Sequence, residues 1–336
     1  MKRWVMNLGA GIVGLRLQEA ARPEPAQGEA LVRVRAVSLN YREVSILVHG
    51  RYPLAVKADV VAASGGAGEV VAVGAGVTRV RPGMRVIASI FPHWLDGPFR
   101  PEVIDQLGGS LDGMLSECVC VPESALVPIA DHLDFEEAAC LPCAALTAWH
   151  ALTAAGPLQP RDTVLALGSG AVSLFALQFA KALGAGTICT TSSEAKASRL
   201  RELGAEWVVD YRRDAQWGDS VRTRSGGRGV DRVIEVGGAT LPQSLRATRL
   251  GGHISLVGTR AGAAAVDVGA IFASGATIAP VAVGSRTQLE AMMDVVGRHA
   301  LRPVIDKAFA FEEAPAAFAY YLGGSNFGKV VIRVGD

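Results

Sequence analysis

The stretch Val164–Ala185, VLALGSGAVSLFALQFAKALGA, constrains this chain more than any other. Four apolar residues, Val164–Leu167, run directly into Gly168-Ser169-Gly170. Beyond them, apolar positions recur at Val172, Ala176, Phe179, Ala180 and Leu183, a helical spacing that ends at Gly184. A strand, a glycine-rich turn and a helix in that order are the parts of a dinucleotide-binding crossover. The first glycine permits the tight turn, and the second lets a pyrophosphate approach the backbone. Free N–H groups at Ala171 and Val172, with the positive end of the helix dipole, face the phosphates. Ser173 stands where a third glycine is usual, so the neighbouring sequence has to carry the reading.

That neighbouring sequence alternates. After the turn come strand Thr187–Thr191, helix Glu194–Leu203 closed by Gly204, and strands Trp207–Asp210 and Asp231–Val236. A helical Leu241–Leu250 stops at Gly251-Gly252, and strands His253–Val257 and Thr277–Val283 complete the series. Such alternation predicts a doubly wound parallel sheet of the α/β class, with the Gly-Ser-Gly turn after its first strand. Upstream, Phe135–Leu152 is rich in Ala and Leu and reads as one helix with Glu136 and Glu137 in its first turn.

The first part of the chain reads as β. Ala30–Leu39 alternates Val32, Val34 and Ala36 against Arg33 and Arg35. Strand candidates also lie at Gly68–Val77, Arg85–Ile90 (after the Arg81-Pro82-Gly83 turn), Glu117–Val121 and Ala125–Ile129. Short strands joined by Gly/Pro turns predict a small barrel-like domain. The Phe91–Gly113 segment between them is a long loop, a length at which loops often shape a substrate cleft.

The 336 residues suffice for two domains. With half the residues apolar, 19% charged and a net charge of +1, the chain lacks the basic balance of a nucleic-acid binder. No apolar run reaches the roughly 18 residues that span a bilayer, and Met1-Lys2-Arg3-Trp4 leads into a strand rather than a signal peptide. The five cysteines (118, 120, 140, 143, 189) fit reduced thiols of a cytoplasmic enzyme. Cys140-Leu-Pro-Cys143 has redox-motif spacing without the preceding strand such a motif needs.

The second strand of the crossover ends in Thr190-Thr191-Ser192-Ser193, where an NAD-selective site places a carboxylate. Hydroxyls at Ser192 and Ser193, followed by Lys196 and Arg199, suit a 2′-phosphate and favour NADPH over NADH. Glu194 is the dissenting charge, at a first-turn position that explains it without a ligand.

Five segments in this order resemble the medium-chain dehydrogenase/reductase superfamily, within its zinc-independent, quinone-oxidoreductase-like alcohol dehydrogenases. They are Val37–Arg42, Gly66–Val71, Leu141–Trp149, the Gly168 turn and Asn326–Val331. The resemblance implies a GroES-like β domain from residues 1–128 and 285–336, and a Rossmann domain from 129–284, with the cofactor in the cleft between them. By the same resemblance, Lys196 and Tyr211 correspond to a pair that holds the 2′-phosphate. Thr147 corresponds to a threonine near the nicotinamide, and Val257, Gly258, Val283 and Gly284 to its backbone neighbours. Phe327 and Lys329 correspond to residues of a returning strand that close over the cofactor; packing and a solvated lysine are the plain alternatives. A homodimer joined along Thr277–Val283 is implied as well.

In the zinc-using branch, a Cys, a His and a further Cys bind the catalytic metal. By resemblance Asn40, Ser64 and Cys143 stand in those places, and the first two are poor zinc ligands. The family's acid beside Ser64 is Gly65 here, and the 91–113 loop carries none of the four cysteines of a structural zinc lobe. No metal is therefore expected. Tyr52 resembles the tyrosine proton donor of related enoyl reductases, and Asn40 and Tyr41 are the other candidates for work at the substrate oxygen, although Tyr41 suits core packing. Conjugated acceptors delocalise the incoming charge, which favours quinones and α,β-unsaturated carbonyls over simple aldehydes. A zinc-independent alcohol/aldehyde dehydrogenase and a non-catalytic NADPH-binding protein are the alternatives; the site has to separate them.

Overall fold

A computed structural model describes residues 1–258, 262 and 265–335. The chain divides into two units, Met1–Leu146 with Val283–Asp336, and Thr147–Ala282.

The second unit is an α/β unit built on a six-stranded sheet. Its strands lie in the order Trp207–Asp210, Gly186–Thr191, Thr163–Ala166, Val230–Glu235, Thr248–Leu256 and Thr277–Pro280. All neighbours are parallel. In chain order this is 3-2-1-4-5-6, the doubly wound order whose ligands bind beyond the carboxyl ends of the strands. The strands are apolar throughout because helices cover them: Leu165, Ile188, Val209, Val233 and Ile254 meet in one core. Helix Ala171–Ala182 buries Ala176, Phe179 and Ala180 of the periodic face, leaves Val172 half-buried, and also buries Leu174, Phe175 and Leu177 beyond it.

The first unit holds a seven-stranded sheet. Ile305–Phe309, Lys329–Arg333, Glu29–Ser38, Gly65–Val73, Arg85–Ala88 and Leu126–Pro128 follow in that order, and Cys118–Pro122 also pairs with Glu29–Ser38. A three-stranded sheet of Arg16–Glu19, Lys2–Met6 and Val60–Val61 completes it. Along Glu29–Ser38, Val32 and Val34 are buried while Arg33 is exposed, as alternation predicts; toward its end Ala36, Val37 and Ser38 are all buried. Two segments distant in sequence thus build one sheet: Lys329–Arg333 pairs with Glu29–Ser38, setting Val331 opposite Ser38.

Two expectations shift. Residues 129–146 belong with the first unit rather than with the dinucleotide-binding one. Helix Phe135–Ala139 is stapled there by Glu136–Arg333 and Glu137–Arg302 ion pairs, each at 2.6 Å, and by Ser38 Oγ donating to Ala139 O. Arg85 also lies 4.9 Å over the Phe135 ring. The single helix expected over 135–152 is broken by a π-type segment, Leu141–Ala145. Pro142, which has no N–H to donate, interrupts the regular ladder there.

Candidate functional site

In the second unit the predicted turn is formed as its chemistry requires. Gly168 has φ +77°, a conformation side chains resist, and a Cβ on either Gly168 or Gly170 would meet nothing within 4 Å. The backbone is therefore open where a pyrophosphate has to approach. Gly170 caps helix Ala171–Ala182 without a side-chain hydrogen bond, which leaves the N–H groups of Ala171 and Val172 to a ligand; Ser169 lies between the two glycines. Ser173, the departure from the usual pattern, is buried and donates to Leu167 O at 2.5 Å, tying the helix to the strand it follows. Thr190 accepts from Gly168 N–H at 3.0 Å, so its hydroxyl braces the turn.

The other second-unit candidates follow strand ends at the same edge. Thr191 is buried, and Ser192 and Ser193 beyond it are half-buried. Tyr211 N–H donates to Thr191 O at 3.1 Å, which sets the 43%-exposed Tyr211 beside the end of the second strand. Lys196 is half-buried on helix Glu194–Glu202. Glu194 pairs with Arg201 at 2.9 Å, so the dissenting carboxylate has its own partner. Val257 N–H donates to Glu235 O at 2.8 Å, and a Cβ on Gly258 would stand 3.0 Å from Val236 O, so these two loops lie side by side. Thr147 is buried at the start of helix Leu146–Thr153. Sequence reasoning missed Glu235. Its fully buried carboxylate accepts from Gly237 N–H, Gly238 N–H, Thr240 Oγ1 and Ser244 Oγ at 2.5–3.0 Å and so fixes the loop after its strand. An acid closing an apolar strand, followed by Gly-Gly and two hydroxyls, was the available signal.

The remaining candidates belong to the first unit, where a buried polar cluster forms at Asn40, just past strand Glu29–Ser38. Glu43, fully buried one turn into helix Tyr41–Leu47, accepts from Asn40 N–H at 2.7 Å, Ser64 N–H at 3.0 Å and Ser64 Oγ at 2.5 Å. Lys329 is 1% exposed, and its ammonium donates to Leu39 O at 2.7 Å and Asn40 Oδ1 at 2.6 Å. The solvated-lysine alternative is thereby overturned: strand pairing draws the side chain inward. Burial pushes Lys329 below the ordinary lysine range, against the opposing effect of Cys140, Cys143 and Glu43. Asn40 Nδ2 donates to Ser38 O at 3.1 Å.

Tyr52 sits in a neighbouring network. Its hydroxyl donates to Gln106 Oε1 at 2.9 Å and accepts from Arg42 Nε at 3.1 Å, with the Arg42 guanidinium 5.0 Å over its ring. Arg42 also donates to Leu107 O and Gln106 Oε1 at 2.9 and 2.6 Å. The 91–113 loop is thus more than a surface connection, because it delivers Gln106 and Leu107 to the interior. Tyr41 is half-buried with its ring 6.1 Å from His49. Phe327 is buried beside the returning strand, and Gly284 has room only for hydrogen: a Cβ there, next to Val283, would stand 2.7 Å from Leu146 Cγ.

These residues do not fit zinc. Asn40 Oδ1 already accepts from an ammonium, Ser64 Oγ donates to Glu43, and burial pushes the Cys143 thiol up to about 12. A divalent cation at Asn40 would face the Lys329 ammonium, and among the described residues no group of three His, Cys, Asp or Glu side chains could hold it.

Comparison with known proteins agrees with the fold. Residues 26–131 match the model of the alcohol dehydrogenase GroES-like domain, and 171–298 that of the zinc-binding dehydrogenase. The zinc-type alcohol dehydrogenase-like protein C1773.06c of Schizosaccharomyces pombe is 37% identical over 97% of this chain and 96% of its own length. A Sinorhizobium meliloti 1021 protein provisionally named an alcohol dehydrogenase is 40% identical with a TM-score of 0.91, covering 99% and 98% of the two chains. An NAD-dependent alcohol dehydrogenase is 31% identical, with a TM-score of 0.90 and full coverage of both chains. Mycobacterial Rv1454c, solved with NADPH, is 26% identical with a TM-score of 0.81 and 99% coverage of both. Paired GroES-like and dinucleotide-binding models, and a relative this similar along almost its whole length, establish that the chain is an oxidoreductase of the medium-chain dehydrogenase/reductase superfamily.

Proposed function

We propose that this chain is an NADPH-dependent oxidoreductase that works without a metal and delivers hydride to a quinone or an α,β-unsaturated carbonyl. The observation that carries the reading is the ammonium of Lys329 on Asn40 Oδ1, beside a serine committed to Glu43, in place of a set of zinc ligands. With no Lewis acid, an acceptor that spreads its own charge suits the site best. The reduced nicotinamide supplies the hydride.

The chain's residues bind and orient. The open backbone at Gly168, Ser169 and Gly170 and the N–H groups of Ala171 and Val172 take the pyrophosphate. Ser192, Ser193, Lys196 and Tyr211 take the 2′-phosphate, for which the absence of a carboxylate after Thr191 leaves room. Thr147, Val257, Gly258, Val283, Gly284 and Phe327 line the nicotinamide end. At the acceptor oxygen, Asn40 offers the N–H that Ser38 does not use; Tyr52 is the second donor, its phenol proton exchanging Gln106 Oε1 for the substrate, and Tyr41 lies next to Asn40 in sequence.

The protein works in the cytoplasm as a homodimer. Thr277–Pro280 is the edge strand of its sheet, and Leu250, Val268 and Phe272 are 74–88% exposed. Sedimentation of wild type against Phe272→Asp checks the dimer; a wild-type monomer refutes it.

The functional test uses metal-stripped protein, NADPH, an enal and its saturated aldehyde, with products identified. Reduction of the C=C bond, with the saturated aldehyde untouched, is the expected result. Alcohol formation from both acceptors would mark a zinc-independent alcohol dehydrogenase, activity only on adding zinc would overturn the metal-free reading, and tight NADPH binding without turnover would mark a binding protein.

A further inference from the structure

The ammonium of Lys329 is buried beside no carboxylate within ion-pair distance among the described residues. A lone buried cation is costly unless hydrogen bonds replace the water it loses. Here its hydrogen bonds have one geometric consequence. An asparagine carboxamide has one acceptor and two N–H donors, and its two ends are nearly the same shape. Lys329 holds the oxygen end at 2.6 Å, and Ser38 O holds one proton of the nitrogen end at 3.1 Å. The amide therefore cannot turn over, and its second N–H has a fixed direction. An ammonium on the oxygen also draws electron density through the amide and makes that N–H a stronger donor.

We propose that Lys329 is a positioning residue, which locks and polarises the Asn40 carboxamide so that its spare N–H serves as the oxyanion donor for the substrate carbonyl. The inference rests on the reductase reading above. As hydride, a proton with two electrons, bonds to the β-carbon, the C=C pair shifts to the Cα–C bond and the C=O pair moves onto oxygen. The Asn40 N–H stabilises that charge and keeps its proton. The Tyr52 phenol, reprotonated by water, then protonates Cα, leaving a saturated carbonyl and an oxidised nicotinamide. Electrostatic help of this kind is preorganised, because the lysine is already in place before the charge appears.

The test is a double-mutant cycle on enal reduction with Lys329→Met, Asn40→Ala and the pair, together with the Kd for NADPH of each. Loss of a single oxyanion donor costs on the order of 10²-fold in kcat. Asn40→Ala is expected to show a loss of that size, and Lys329→Met roughly 10- to 100-fold, with NADPH affinity within about twofold of wild type. The double variant is expected to be no slower than Asn40→Ala alone, because Lys329 acts through Asn40. Additive losses, or a weakened NADPH Kd with kcat intact, would overturn the proposal. Should Lys329→Met fold poorly, Lys329→Gln, which can donate to Asn40 Oδ1 without a charge, replaces it in the cycle. The Asn40 side-chain N–H resonances supply a readout free of turnover. They are expected to shift and to exchange faster with water in Lys329→Met. Unchanged signals would refute the locking even if wild type reduced no enal, a result that would separately refute the reductase reading.

Discussion

Replacing Glu43 by Gln is a sharp test of the first unit, because it alters one atom in a fully buried network. The carboxylate serves three donors: Asn40 N–H on one oxygen, and Ser64 N–H and Ser64 Oγ–H on the other. A carboxamide has only one acceptor oxygen, and its best choice is to keep that oxygen toward Ser64. Its NH2 then faces Asn40 N–H, leaving a buried donor unpaired at about 1–3 kcal/mol. The two bonds to Ser64 survive but lose their charge assistance, about 0.5–1 kcal/mol together. Arg42, 3.5 Å from Glu43, keeps its bonds to Tyr52, Gln106 and Leu107 and adds little. The sum is about 1.5–4 kcal/mol, a large share of the 5–15 kcal/mol typical of a folded protein. Urea unfolding followed by the fluorescence of Trp4 and Trp94 reports on this unit. Glu123→Gln is the control, since that exposed carboxylate also accepts two backbone N–H groups, from Thr78 and Arg79, where water can replace it. A Glu43→Gln loss below about 0.5 kcal/mol, or no greater than the control, would refute the network's role.

Three further outcomes follow from particular contacts. Asp231, with its side chain 5% exposed, accepts from Arg228, Arg249 and Thr163 N–H. Burial pushes its carboxyl up, but these bonds together outweigh it and hold the group below the usual carboxylate range. A folded value below the unfolded one gives stability that is full above about pH 4 and lost as pH falls through the folded value. Asp231→Asn should cost about 1–3 kcal/mol at pH 7, discounted for the half-exposed arginines, and should flatten the acid limb of unfolding; an unchanged limb would count against the assignment. Tyr52→Phe removes a donor to Gln106 and an acceptor for Arg42, costing about 0.5–2 kcal/mol, and should slow enal reduction by roughly 10²-fold as the proton donor; turnover within twofold of wild type would leave Tyr52 structural. Lys196→Glu should weaken NADPH binding tenfold or more by replacing attraction with repulsion and leave NADH nearly unchanged, whereas equal effects on both would remove Lys196 from the phosphate site.

Much of the second unit was legible because its signals are local. A strand, two glycines and a helix stand within about 20 residues, and the alternation that follows dictates a parallel sheet. Even the departure at Ser173 is local, a hydroxyl reaching the carbonyl of Leu167 six residues back. Helix Arg286–Arg298 had a local signal too, the Ser285/Gln288 capping box, which the reading of the sequence passed over.

The polar cluster of the first unit was another matter. Asn40-x-x-Glu43 has the spacing of a cap, so a carboxylate on a backbone N–H was foreseeable, but the second service of Glu43 to Ser64 depends on a chain segment 21 residues away. Gln106 reaches Arg42 and Tyr52 from a loop that shows no periodicity. Lys329 lies 289 residues from the Asn40 it holds, in a strand whose next three residues, Val330, Val331 and Ile332, are apolar. By itself, then, the sequence determined the fold class and the glycine-rich turn, because strand and helix periods and the conformational freedom of glycine are local properties. Only the tertiary structure decided that a lysine reaches Asn40 from within. Pairing of Lys329–Arg333 with Glu29–Ser38 sets which end of the chain meets Asn40, and burial makes the ammonium take a carboxamide oxygen as its partner.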